Sequence, residues 1–97
     1  MERMFTVQKR LENALLILAE DADANEKRAR ISVECLSLIT QDDLPHLLSR
    51  DYYHLLDLVD APERFPELPT ALLLLYKRLT EWIAIEHYLR CQQQVLS

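Results

Sequence analysis

The chain contains no glycine in 97 residues. Phosphate-cradling loops, dinucleotide fingerprints, EF-hand loops and two-residue primed hairpins all need a residue that reaches positive φ without a Cβ penalty. Their absence excludes nucleotide and calcium binding through such loops, and argues against a turn-rich β fold. Cysteine is scarce as well. Cys35 and Cys91 stand far apart, with no CxxC or CxxH spacing, so neither a disulfide framework nor a zinc knuckle is encoded. Each lies among apolar neighbours and is expected in the core. Long apolar runs are missing too. The longest, 14–19 and 71–76, are six residues each, against about 18 for a membrane span. The N-terminal stretch is interrupted by Gln8, Lys9, Arg10, Glu12 and Asn13 and lacks a signal-type apolar region. A cytoplasmic protein with no membrane segment is the expectation.

Basic charge is also in short supply: 11 Lys and Arg against 16 Asp and Glu, a formal net charge of −5. The excess is local. Residues 42–67 hold seven acids and only Arg50 and Arg64, whereas the flanking segments are close to neutral. Such a stretch disfavours direct contact with nucleic-acid phosphates. It suits a basic partner protein, or simply a solvated helix face.

What the chain does have is leucine, 20 of them, in helical register. Met4, Val7, Leu11, Ala14, Leu15, Leu18 and Ala22 fall at steps of three and four and predict a first helix over 4–22. Asp21, Asp23 and Asn25 interrupt it. Asp23 and Glu26 have capping-box spacing and predict the start of a second helix, with Ile31, Cys35, Leu38 and Ile39 as its main face. Lys27, Arg28 and Arg30 sit in its first turns, where the helix dipole disfavours cations. Glu20, Asp21 and Asp23 just upstream, or a partner's acids, are the expected reason. After Thr40 to Asp43 and Pro45, a third helix is predicted over 44–60, with Leu44, Leu47, Leu48, Tyr52 or Asp51, Leu55, Leu56 and Val59 inward. His46, Arg50 and Asp57 face outward, with Tyr53 or His54 beside them.

Pro62, Pro66 and Pro69 mark residues 61–69 as a rigid, extended connector, with Phe65 and Leu68 turned back to the core. A last helix over 69–94, apolar on most sides, should occupy the centre. Two of its stripes stand out: Leu72, Tyr76, Leu79 and Ile83, and Leu75, Leu79, Trp82 and Leu89. One would remain for a partner if neighbours cover the other. Residues 92–97 are expected to fray. The fold class is therefore all-α, a four-helix, antiparallel bundle-like domain over 1–97, with a proline-rich loop before the long C-terminal helix.

Residues with chemical potential are few. His46 and His54 share the third helix with Asp42, Asp43, Asp51 and Asp57, but Arg50 stands one turn from each histidine, where a further ligand would be needed. Exposed histidines are the simpler reading, and no metal or cofactor is expected. Cys91 and His87 share one face of the last helix, with Glu86 turned by about 100°. Nucleophilic catalysis would need that third group in line and oxyanion donors nearby, so no enzyme is expected. Tyr53 beside Arg50 has the composition of an interface hot spot.

The leading expectation is a small acidic protein-binding module, an adaptor, chaperone or inhibitor, acting through an apolar helix stripe flanked by acids. Asp43, His46, Arg50, Tyr53, Asp57 and Trp82 are its candidate partner-binding residues. The partner is another protein, with a basic surface favoured, and self-association into a homodimer is expected because so small a core buries a limited area. The alternative is a small-ligand binder or enzyme with a pocket between helices lined by Trp82, Tyr76 or His87. A further alternative is a DNA-mimicking inhibitor of a nucleic-acid-binding protein.

Overall fold

The computed structural model describes residues 2–96, and every regular element in them is helical. Four α-helices form a bundle-like fold: α1 (Glu2–Leu18), α2 (Ala24–Arg30), α3 (Ser49–Val59) and α4 (Leu68–Leu96). Short π and 3-10 segments join them.

The core follows the apolar steps of the sequence. Met4, Val7, Leu11, Ala14 and Ile17 of α1 and Leu68, Leu72, Leu75, Leu79 and Ile83 of α4 are buried, and the two helices pack on each other. Tyr52, Leu55, Leu58 and Val59 of α3 close a second side of α4. Polar ties sit at the rim. The Tyr76 phenol donates to the Glu12 carboxylate (2.8 Å), Gln8 Nε2 to Thr80 Oγ1 (2.9 Å), and Arg78 pairs with Asp51 (2.8 Å).

Without glycine, no described residue adopts a positive φ, so none of these helices ends in a left-handed cap. Long cations from elsewhere bind the end carbonyls instead. Lys27 Nζ donates to the Leu18 carbonyl at the end of α1 (2.9 Å), and the Arg28 guanidinium to the Val59 carbonyl at the end of α3 (2.9 Å). Both contacts place positive charge at the negative pole of a helix. This corrects the expected upstream acid partners of Lys27 and Arg28. Arg30 does meet Glu20, and also Glu34 at 2.8 Å.

Other boundaries differ from expectation for local reasons. α1 stops at Leu18, four residues early, because the Ala19 and Glu20 amides bond back to Leu16 and Ile17 and tighten the last turn. Asp23 has the extended backbone of an N-cap, but its side chain makes no cap hydrogen bond, so the capping box is not formed. The second helix is not uniform. It passes into a π turn (Ile31–Cys35) and a 3-10 turn (Leu36–Leu38). The wider turn shifts the inward face, so Leu36 is buried next to Cys35 while Leu38 and Val33 face out.

The third helix begins as a 3-10 turn (His46–Leu48), which leaves Leu47 72% exposed and brings Leu58 into the core. Residues 62–67 are not extended. They form a 3-10 turn (Pro62–Glu67), with Pro62 in its first turn, where a missing N–H costs nothing, and an Arg64–Glu67 ion pair of 2.8 Å. Phe65 packs against the core and Leu68 is buried, as expected.

The π and 3-10 turns are fastened to α3 from inside. The Tyr52 hydroxyl is buried with the ring and donates to the Ile39 and Leu36 carbonyls (2.9 and 3.2 Å). Burial pushes this phenol above its ordinary range, with smaller contributions from Tyr53 and Asp43. Asp43 closes the next turn by accepting from the Thr40 amide (3.1 Å), which holds its carboxyl below the usual range.

Candidate docking surface

α4 has 29 residues and is therefore about 43 Å long, more than the rest of the bundle can flank. The molecule measures 54 × 24 × 20 Å. Its radius of gyration is 14.9 Å, against about 12.5 Å for a compact chain of this length. Among the residues of α4 whose side chains are described, the last buried one is Ile83. From Ala84 the helix extends past the core, and the expectation of a central helix covered on most sides gives way to a helix with one buried face.

The composition of this end is unusual for a solvated helix. Ile85, Tyr88 and Leu89 are 58%, 61% and 53% exposed and lie side by side at helical spacing. They do not continue the core stripe. Following Leu75, Leu79 and Ile83 along the same face leads to Glu86 and Arg90. At 100° per residue, the Ile85 and Leu89 face is turned by more than a right angle from it. The two stripes singled out in the sequence are both largely internal: Leu72, Leu75, Leu79 and Ile83 are buried, and Leu89 alone among their members is exposed. The sequence signal for the exposed face was the point where the apolar steps leave the 72, 75, 79, 83 series.

At the base of the protruding end lies an open groove of about 420 Å³ between α4, the start of α1 and the 42–47 segment. Met4, Leu44, Leu47 and Trp82 form its apolar part, and Asp42, Asp43, Glu86 and Arg3 its charged rim. Trp82 is half-buried and donates its indole N–H to Glu86 (3.2 Å), so one flank of the groove is a single i, i+4 unit of α4. Of the predicted partner-binding residues, Asp43, His46 and Trp82 meet here. His46, Arg50, Tyr53 and Asp57 line an adjoining shallow depression on the outer side of α3, with His54. All six thus belong to two neighbouring depressions that share His46. Tyr53 leans on Tyr52 with ring centroids 5.7 Å apart.

The pocket residues of the alternative reading separate. Trp82 lines the groove, whereas Tyr76 packs on the core with its hydroxyl on Glu12 and His87 stands exposed on the protruding helix. His87 Nε2 does lie 3.7 Å from Cys91 Sγ. Cys91 is exposed, which corrects its expected place in the core, and Glu86 is engaged by Trp82 rather than by His87. Cys35 is buried, and burial pushes its thiol up.

The acidic segment is divided among local partners. Asp51 pairs with Arg78, Glu67 with Arg64, and Asp43 holds the Thr40 amide. Among the described residues, Asp42, Asp57, Asp60 and Glu63 remain on the surface without a paired cation. Among the described residues, no three His, Cys, Asp or Glu side chains group to hold a metal ion, and no helix is long and apolar enough to cross a membrane. No family model matches the chain, and comparison with curated proteins and with solved structures gives no match.

Proposed function

We propose that this chain is a protein-binding module of the adaptor or inhibitor kind, with no catalytic role, whose docking surface is the protruding end of α4 and the groove at its base. The observation that carries this reading is the exposed row of Ile85, Tyr88 and Leu89 beyond the last core residue. Covering a large apolar side chain stabilises by about 1.5–3 kcal/mol. A helical end with no tertiary contact is marginal in water. Both considerations favour a second surface that covers this face. The acidic rim of Asp42, Asp43 and Glu86 biases the choice towards a basic contact. Two free thiols suit a reducing compartment such as the cytoplasm. The DNA-mimic reading is less well supported, because local pairing of Asp51 and Glu67 breaks the row of charge such a mimic would present.

A photo-crosslinking residue at Leu89, in the full chain expressed in cells, tests the proposal. The expected result is discrete protein adducts that a control probe at exposed Ala29 does not form. Identical background at both positions contradicts it.

A further inference from the structure

The partner that best fits this surface is another copy of the same chain. We infer that two molecules pair antiparallel through their protruding α4 ends, each end reaching across the acidic groove of the other. This rests on the reading of that surface as a protein-docking site and names its occupant.

Three observations lead here. First, the apolar residues of the protruding end form a seam. Ile85 and Leu89, with Trp82 at the base of that end and the polar Gln92 beyond, recur at steps of three, four and three, the spacing by which two helices pack side by side. Ile85 and Leu89 are turned away from the core stripe, so the bundle's own helices cannot cover them while Leu75, Leu79 and Ile83 stay buried, whereas Trp82 at the base of the seam packs partly on the core.

Second, the charges are complementary. The groove rim carries Asp42, Asp43 and Glu86 against one arginine, Arg3. Beyond Glu86 the described helix holds no acid, and its fixed charge is Arg90. Arg90 has no hydrogen bond or ion pair within its own chain among the described residues. In an antiparallel pair, Glu86 of one helix and Arg90 of the second copy lie on the same side of the seam, about 3 Å apart along the helix axis, where a long arginine can reach round to the acidic groove.

Third, the arrangement closes. The groove borders the seam at Trp82 and Glu86, about 10 Å along α4 from Leu89 to Trp82. A two-fold axis near residue 87 therefore sets Ile85 against the second copy's Leu89 and, reciprocally, Leu89 against its Ile85. Both grooves are covered by one operation, and because each copy uses the same surface, the contact closes on itself rather than propagating into a filament.

An overlap this short buries less than a standard interface of about 1,600 Å², which places the dimer in the weak, micromolar to millimolar range. The test is sedimentation of the full chain over that range, with helicity monitored in every variant. Wild type should dimerise reversibly, and Leu89→Glu should abolish the dimer while helical content and midpoint of the bundle are kept. Arg90→Glu alone, and Asp42→Lys with Glu86→Lys, should each weaken it by about tenfold or more. An equimolar mixture of these two charge-reversed chains should restore a dimer, because each groove then meets an end of opposite sign.

A wild type that stays monomeric at millimolar concentration overturns the inference. So does a dimer indifferent to Leu89→Glu, or a mixture that fails to re-associate. If the chain is monomeric and the Leu89 crosslinks carry a different protein, the copy-to-copy inference falls and the docking-site reading stands. If the Leu89 probe captures nothing, both fall.

Discussion

Tyr52 shows how much one side chain carries in a core of this size. Its ring is part of the α3 packing, and its hydroxyl anchors the Leu36 and Ile39 carbonyls, at the start of the Leu36–Leu38 turn and just beyond its end. Tyr52→Phe keeps the ring and removes the anchor, and should cost about 1–2 kcal/mol in denaturant unfolding. The phenol's pKa is raised on folding, so its contribution is whole below the unfolded value, near pH 10, and is lost as pH rises through the folded value. Wild type should therefore lose stability above about pH 10, and part of that slope should disappear in Tyr52→Phe. A unit slope shared by both proteins would contradict the assignment. The two thiols offer a second check at this scale. Cys91 should react with a thiol reagent at once and Cys35 only on unfolding, since one is exposed and the other is buried with its pKa raised. Helical spacing left Tyr52 and Asp51 as alternatives for one inward place, while Cys35 as a core residue was readable from it. The place of Cys91 was not, because apolar neighbours in sequence mark burial only while the helix still has something to pack on.

At the level of elements, the lack of glycine is answered by side chains that reach from a distance. Arg28 lies 31 positions from the Val59 carbonyl that it binds, and Lys27 nine from Leu18. Arg28→Met retains most of the aliphatic stem and removes the donor, so a loss of about 1 kcal/mol is expected, read as a lower denaturant midpoint at unchanged slope. No change in midpoint would show that water serves the carbonyl equally well. Such end contacts could not be seen in the sequence, since they depend on how α2 is set against α1 and α3. The same holds for the π turn at Ile31–Cys35. Helical steps pointed to Leu38 as inward, and the widened turn put Leu36 there instead. The proline cluster was legible as a boundary but not as a shape: Pro62 starts a 3-10 turn that needs no N–H from it.

For the whole molecule, the all-helical, bundle-like architecture with a proline-containing loop before a long last helix followed from leucine spacing and punctuation. The candidate surface was only partly legible. The structure sets Asp43, His46, Arg50, Tyr53, Asp57 and Trp82 around two adjoining depressions, whereas nothing in the helical spacing singled out the exposed Ile85 and Tyr88. An apolar residue in a long helix looks the same in sequence whether the neighbouring helices reach it or stop short. Here they stop at Ile83, and the 54 Å length of the molecule records the difference. That end of α4 has too few contacts of its own to be protected, and its protection should come from a second molecule.

Amide hydrogen exchange of residues 84–93, measured residue by residue across a range of protein concentrations, is the most direct test of this account. Protection confined to that stretch, growing with concentration and absent in Leu89→Glu, is the predicted result. Exchange there that is equally fast at every concentration, with the 68–83 part of α4 protected throughout, would contradict it.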